Sequence, residues 1–477
     1  MPLRSPPSPS QEHLEKRIRN ATGHAQPVPM RQDRQAMKRD RKRVRYLQKA
    51  YAKQVSKTGD PPILFDILEM LGKEKVDQIL QRQEEFDRVA PFGEEVEVTI
   101  ERLSAHGDGL ACSPSGDRVL VVPFALPEET VRVVPYGAER LYFKTRLVSR
   151  VKGQSSLRND SLVQCRYFGQ CGGCQYQMIP YEQQLQIKQS VVQKAFEHFS
   201  NLDSSLVPGV LPTVASPLTM QYRTKLTPHF DLPHALRRGK KNEDVDLAAI
   251  SVPIGFDGAS TGRVMDIEEC PIGTPTINAA LPDEYAKIRS HIAEYKNGAT
   301  ILLRDSLKDL EPETVAKQES MVVTDHHATV YELVGKTLFS TPAGAFFQNN
   351  RSIIPIVIDY VKDQVSARNR DQPRFLVDTY CGSGLFALTL APIFHEVAGI
   401  EISASSIECA KRNAELNDIT NAKFIAGSAE NIFASISYPP EQTTVVIDPP
   451  RRGCDQLFMD QLVKLGPKEI IYGMFIR

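Results

Sequence analysis

No run of eighteen apolar residues occurs in this 477-residue chain, so no transmembrane helix is expected. The first thirty residues have no apolar core, and no secretory signal is expected there. Eight cysteines in a chain of this size, without such a signal, do not read as a disulfide framework. They point to reduced thiols or a metal site. Net charge is lacking too, since 58 Lys and Arg balance 58 Asp and Glu. That zero conceals a division. Between Leu14 and Lys57 stand 14 basic and 3 acidic residues, a net of +11, and the rest of the chain, with 44 basic and 55 acidic, carries −11. Total charge therefore argues neither for nor against nucleic acid, and the concentration in one segment is the informative part.

At this length two or three domains are expected. Residues 1–60 read as a basic, disordered tail in which Arg31–Lys57 has some helical character, with its densest charge at Lys38–Arg45. Such a block suits nuclear import, phosphate binding or plain solvation, so nucleus, cytoplasm and mitochondrion all stay open. Within 61–90, Leu64, Ile67, Leu68 and Leu71, then Val76, Ile79 and Leu80, recur at helical spacing and predict two short amphipathic helices broken near Gly72. Residues 91–153 change to alternation, at Val96, Val98 and Ile100, then Val119–Val122, Val131–Val134 and Leu141–Val148. With Gly107, Gly109, Gly116 and Gly137 read as turns, this predicts a small all-β barrel, with Tyr142, Lys144 and Arg146 on one strand face. Residues 154–335 read as an α+β central domain, with a helix at Tyr181–His198 and a polar surface insertion at Arg237–Asp244.

The last segment, 336–477, has the order of a doubly wound α/β sheet. Phe375-Leu376-Val377 is a buried strand that delivers Asp378 and the tight turn Cys381-Gly382-Ser383-Gly384, followed by a helix over Leu385–Ala391. Val397–Ile402 is a second strand carrying Glu401 about twenty residues past the turn, where a strand-end carboxylate can take the two hydroxyls of a ribose. A helix over Ser403–Asn417 and a third strand, Thr444–Ile447, lead to Asp448-Pro449-Pro450-Arg451-Arg452-Gly453. A Gly-rich turn alone is weak evidence, because many α/β proteins use one for packing. Two further strand ends bearing carboxylates turn it into a cofactor-site pattern.

Cys165, Cys171 and Cys174 follow C-x5-C-x2-C spacing, with Gly172-Gly173 between the last two, and Cys270 precedes Pro271. Four thiolates suit zinc or an iron–sulfur cluster, and the residue types do not decide between them. Cys112, Cys381, Cys409 and Cys454 have no partners at ligand spacing and read as structural.

Together GAFFQNN at Gly344–Asn350, DTYCGSG at Asp378–Gly384, Glu401, DPPRRG at Asp448–Gly453 and the cysteine cluster resemble the RNA uracil-5-methyltransferase family, in particular its fungal tRNA position-54 type. The resemblance covers about Glu94 to Tyr472. It implies S-adenosylmethionine as methyl donor, with Gln348 on its amino-acid end, Tyr380 packed against it, Glu401 on the ribose and Asp448 between donor and target base. Core packing is the alternative for Tyr380. The resemblance also implies a [4Fe–4S] cluster on Cys165, Cys171, Cys174 and Cys270, with zinc as the alternative, and makes the 91–153 barrel a TRAM domain of OB type. Arg223 and Lys225 match a segment facing RNA. The implied partner is tRNA or another structured RNA, with no membrane and no obligate protein partner.

The family's reaction needs a cysteine thiolate that adds to carbon-6 of uracil, a base on the opposite side of the ring, and a uridine drawn out of its stack. In the family that cysteine lies in a Ser-Cys-Asn motif after Ile-Tyr-Val. Here Ile470-Ile471-Tyr472 runs into Gly473-Met474-Phe475, so Phe475 stands where the cysteine is expected. The methyltransferase domain is therefore expected to be C-terminally incomplete, its sheet edge open, and the chain as written poorly stable and inactive, with no catalytic residue assigned. Two other functions stay open: a non-catalytic RNA-binding or tRNA-folding protein, and a ribosomal-RNA uracil-5-methyltransferase.

Overall fold

The computed structural model describes residues 31–89, 91–233, 252–366, 372–427, 432–433, 435–450 and 453–473, with side chains from residue 38 onward. The polar insertion at 237–244, Arg451, Arg452 and residues 474–477, Phe475 among them, lie outside the described residues. Three helices come first: α1 (Arg31–Thr58), α2 (Ile63–Leu71) and α3 (Lys73–Gln81). The break between α2 and α3 falls at Gly72, at φ 75°, a left-handed conformation that favours glycine. The apolar stripe Ile63, Leu64, Ile67, Leu71, Val76 and Ile79 packs on Leu110, Val119, Val121 and Leu141 of the following sheet.

That sheet has six strands: β1 (Val96–Thr99), β2 (Arg102–Leu103), β3 (Gly109–Cys112), β4 (Val119–Val122), β5 (Thr130–Ala138) and β6 (Tyr142–Lys152). Their order is β1-β5-β6-β4-β3-β2, antiparallel except for the β4–β6 pair. The sequence pattern missed β2 and β3, and two glycines read as turns are strand residues. Gly109 sits in β3, where a Cβ would lie 2.6 Å from the Ala125 carbonyl oxygen, so this strand position needs glycine for close approach. Gly137 sits in β5 beside a register shift. Asp66 of α2 is buried, accepting from the Ala105 amide at 2.7 Å and from Lys194 Nζ at 3.0 Å, and so ties α2, the sheet and α4 (Tyr181–Phe199) together.

The middle of the chain carries a four-stranded antiparallel sheet, β10-β9-β8-β11, and a three-stranded one, β13-β12-β7. Their strands are β7 (Lys225–Leu226), β8 (His229–Asp231), β9 (Gly255–Asp257), β10 (Val264–Asp266), β11 (Gly298–Thr300), β12 (Leu303–Leu307) and β13 (Ser320–Val323). Helix α5 (Pro275–Ser290) buries Ile277, Leu281, Tyr285 and Ile288 against Phe230, Ile254 and Leu303 of this region. A hairpin of β14 (Thr329–Val334) and β15 (Thr337–Pro342) follows, then helix α7 (Ile354–Ser366), with a short α6 (Pro312–Lys317) before β13.

The final sheet is parallel throughout, in the order β18-β17-β16-β19-β20. Its strands are β16 (Phe375–Thr379), β17 (Glu396–Glu401), β18 (Ala422–Ala426), β19 (Thr443–Ile447) and β20 (Glu469–Tyr472), joined in part by α8 (Leu385–Leu390), α9 (Ala404–Leu416) and α10 (Gln456–Leu465). The chain starts at the central β16, adds strands on one side, then crosses back to add β19 and β20 on the other. That places the topological switch point between β16 and β19. Both faces are covered. Leu376, Val397 and Val446 meet α7 and α8, while Val377, Val445 and Ile447 meet Phe458 and Leu462 of α10. Among the described residues β20 is an edge strand, with Ile470 and Tyr472 about half exposed.

Candidate active site

Three carboxylates project at the carboxyl ends of β16, β17 and β19, beside the switch point where doubly wound sheets bind ligands. Asp378 is fully buried. One carboxylate oxygen accepts from the Ala387 amide at 2.8 Å and the other has no hydrogen-bond partner among the described residues. Burial, with the negative charges of Asp448 and Glu401 nearby, pushes its carboxyl up to about 8. Asp448, partly exposed, is pushed by burial to about 6. Glu401 accepts from the Gly382 amide at 3.3 Å and from the Ser403 amide at 3.0 Å, which holds its carboxylate across the glycine turn.

The turn itself is forced. Gly384, at φ 92°, starts α8, and a Cβ there would meet Leu388 at 3.1 Å. Tyr380 also takes a positive φ, 61°, unusual for an aromatic residue. Its ring packs 5.4 Å from that of Phe458, and its hydroxyl is hydrogen-bonded with the Cys454 thiol, which also meets Tyr472. The core-packing alternative for Tyr380 thus has a physical basis, while its strained backbone sits in the turn where a ligand would approach.

Sequence reasoning missed Asn413. This fully buried side chain of α9 accepts from the Ser340 amide at 2.8 Å and donates to the Ser383 carbonyl at 3.0 Å, pinning the glycine turn to the β14–β15 hairpin. Asn417, one turn on, accepts from the Leu338 amide at 2.8 Å and donates to its carbonyl at 2.7 Å. The only signal was two asparagines at i, i+4 on one helix, a pattern that equally fits a solvated face.

The GAFFQNN loop is anchored to the central region by Arg223, Thr224, Lys225 and Arg304. Gln348 is half-buried, and its amide has no hydrogen bond among the described residues. Asn349 is held by Arg304, which forms a buried 3.1 Å ion pair with Glu332 and reaches the Asn349 side-chain oxygen at 3.4 Å. Lys225 donates to the carbonyls of Gly344 and Ala345 at 3.2 and 3.4 Å, so its ammonium secures this loop. Arg223 donates through Nε to the Lys225 carbonyl and lines the cysteine pocket. The two cations expected to face RNA therefore brace loop and pocket here.

Cys165, Cys171, Cys174 and Cys270 line one cavity of about 260 Å³. Cys171 bridges to Gly258 in β-fashion, the Gly172 amide donates to the Asp257 carbonyl at 2.9 Å, and Arg166 pairs with Glu268 at 2.6 Å. These contacts fasten the loop 165–174 to the segment carrying Cys270. Asn278 holds that segment, accepting from the Cys270 amide at 2.8 Å and donating to its carbonyl at 3.0 Å. The Gly173 amide points at the Cys171 sulfur at 3.4 Å. Burial pushes the Cys270 thiol up to about 11. Among the described residues no three His, Cys, Asp or Glu side chains are drawn closely enough to hold a metal ion, so the thiols share a cavity without forming a tight ligand set.

Residues 300–473, which carry the glycine turn and all three strand-end carboxylates, match the family model of tRNA (Uracil-5-)-methyltransferases. Over 383 residues the chain is 44% identical to the tRNA (uracil(54)-C(5))-methyltransferase of Schizosaccharomyces pombe, covering 80% of this chain and 69% of that protein. The chain belongs to the tRNA (uracil-5-)-methyltransferase family. A second relative, the tRNA (uracil(54)-C(5))-methyltransferase of Saccharomyces cerevisiae, is 35% identical over 426 residues, covering 79% of this chain and 65% of that one. The chain thus spans about two thirds of the length of these fungal relatives. The crystal structure of Pyrococcus abyssi tRNA (uracil-54, C5)-methyltransferase in complex with S-adenosyl-L-homocysteine superposes with a TM-score of 0.53 at 19% identity, covering 79% of this chain and 90% of that one. At this identity the likeness is one of fold, and it spans most of the chain. No described helix is long and apolar enough to cross a membrane.

Proposed function

We propose that this chain serves the transfer of a methyl group from S-adenosylmethionine to C5 of a uridine in tRNA, at T-loop position 54. The convergence of Asp378, Glu401 and Asp448 on the switch point carries this reading. Glu401, already oriented by two backbone amides, takes the ribose hydroxyls. Gln348, its amide free, takes the amino-acid end, and Tyr380 closes the wall beside it. Asp448 stands between donor and base. The 91–153 sheet acts as the TRAM barrel, 154–335 as the central domain and 336–477 as the donor-binding domain. The fungal relatives named for tRNA favour it over ribosomal RNA as substrate.

The four cysteines fit a [4Fe–4S] cluster as a donor set, since all four thiols face one cavity and a backbone amide already points at one sulfur. Such a cluster would join the loop 165–174 to the Cys270 segment. Zinc on the same thiols is the alternative.

The acceptor half needs a thiolate, and Phe475 at the expected position has none to offer; Cys454 is engaged by Tyr380 and Tyr472. With Phe475 at that position we expect donor binding without methylation. Calorimetric titration with S-adenosylmethionine tests the donor site. We expect measurable binding, weakened at least tenfold in Glu401→Ala, and equal affinities in the two proteins would overturn the assignment. Incubation with 5-fluorouridine tRNA should leave no covalent adduct; an adduct would show that another thiol supplies the nucleophile. Donor binding without methylation is also what a tRNA-folding protein derived from this family would show, and Phe475 is the observation that keeps that second reading.

A further inference from the structure

Helix α1 is not a loose tail. Its half-buried residues Arg43, Val44, Leu47, Tyr51 and Val55 fall on one stripe. The Tyr51 ring packs edge-on to Phe86 at 5.8 Å, and its hydroxyl bonds to Asp60 and accepts from Arg140 at 2.8 Å. The Arg140 guanidinium also lies over the Tyr51 ring at 5.0 Å, and Arg43 donates to the Phe86 carbonyl at 3.1 Å. These contacts fix the helix against α3 and the six-stranded sheet.

The opposite stripe is cationic. At 100° per residue, Lys38, Lys42, Arg45, Lys49 and Lys53 fall within about 80° of one another, diametrically opposed to the docked stripe. All five are exposed, and none has a carboxylate partner among the described residues. The one described acid on the helix, Asp40, is taken by Arg43 at 3.0 Å. A rise of ~1.5 Å per residue spreads the row over about 22 Å, one cation on about every turn. Beneath the helix a cavity of about 530 Å³ is walled by Tyr51 and Gln54 on one side and by Tyr136 and Lys144 on the other. The docked helix thus extends the face of the sheet.

An unpaired row of fixed cations is costly to hold together through self-repulsion, and a polyanion relieves it. The rest of the chain carries a net −11, so the cationic excess is concentrated in the segment that includes this stripe. We propose that the outer stripe of α1 is a preorganised binding surface for the phosphate backbone of structured RNA, which holds the substrate on the six-stranded sheet. This rests on the reading of RNA as substrate but not on the donor site. Its role is affinity and orientation; phosphate contacts carry no base sequence.

The test is binding of an unmodified tRNA transcript to the full 477-residue chain across a series of salt concentrations, with Lys42→Gln, Arg45→Gln, Lys49→Gln and Lys53→Gln combined in one variant. These exposed residues leave the docked stripe untouched, and unchanged thermal unfolding confirms the fold. Each lost phosphate contact removes about 0.7–0.9 from the slope of log affinity against log salt. We expect the slope to fall by about 3 and the affinity by more than tenfold. An unchanged slope overturns the proposal, as does a variant that loses only binding to a nuclear-import receptor. Titration of S-adenosylmethionine on the same samples separates the two readings: tRNA binding without donor binding sinks the methyltransferase assignment and leaves this surface standing.

Discussion

The strand-end carboxylates proposed to bind the donor and the cysteine pocket each gather three or four chemically active groups, yet they are built on opposite principles. At the donor site the groups sit at strand ends, and the parallel ladder of β17, β16 and β19 fixes their spacing through backbone hydrogen bonds. Few side chains are needed to position them. The cysteine pocket draws its thiols from two segments about a hundred residues apart, and side chains carry the alignment: Arg166 to Glu268, and Asn278 to the Cys270 backbone. A ladder tolerates the loss of one contact. A pocket held by individual polar contacts has no such ladder, and burial pushes the Cys171, Cys174 and Cys270 thiols up.

Replacing one thiol gives the largest expected difference. Cys270→Ser should abolish nearly all bound iron and sulfide in anaerobically purified protein, while S-adenosylmethionine binding stays within about twofold. Retained iron would show that the two sites are not built as described, and zinc in its place would assign the other metal. Next comes Asn413→Ala, which leaves the Ser340 amide and the Ser383 carbonyl without their partner. The expected loss is about 2–3 kcal/mol in urea unfolding, together with weaker donor binding. A smaller loss would mean that the ladder alone fixes the glycine turn.

The subtlest effect is on pH dependence. The Asp378 carboxyl lies near 8 when folded against an ordinary value of 3.8, so between those values the folded chain holds a proton that the unfolded chain has lost. This group's contribution must make ligand-free stability fall as pH rises from about 4 to 8 and level off beyond. Asp378→Asn keeps an acceptor for the Ala387 amide and should flatten that decline. An identical pH profile in the variant would show that the Asp378 charge is not buried as described.

How much was legible in the sequence follows the same division. Asp378, Glu401 and Asp448 could be placed because strand, turn and helix signals fix where a strand ends, and a doubly wound order brings those ends together. Helices α2 and α3 and the break at Gly72 were legible from local periodicity, whereas α1 was expected as part of a disordered tail, because its docking contacts with Phe86 and Arg140 come from distant residues. Strands β2 and β3 were not, because Arg102–Leu103 is too short to alternate and Gly109 looks like a turn until Ala125 is placed against it. The contact of Lys225 with the carbonyls of Gly344 and Ala345 was not legible, because a sequence shows a cation but not the loop that folds beside it.

Sequence alone determined the family's motif set, the charge divided between tail and body, and the three thiols Cys165, Cys171 and Cys174 at ligand spacing, because each is a property of residue types at short separation. Tertiary structure decided which of these act together. It placed Asn413 beneath the glycine turn, set Lys225 against the loop carbonyls of Gly344 and Ala345, and docked α1 so that half its cations lie opposite the face that holds it. The physical reason is range: backbone propensity and side-chain periodicity act over a few residues, whereas burial and the pairing of charges depend on neighbours that only the folded chain supplies.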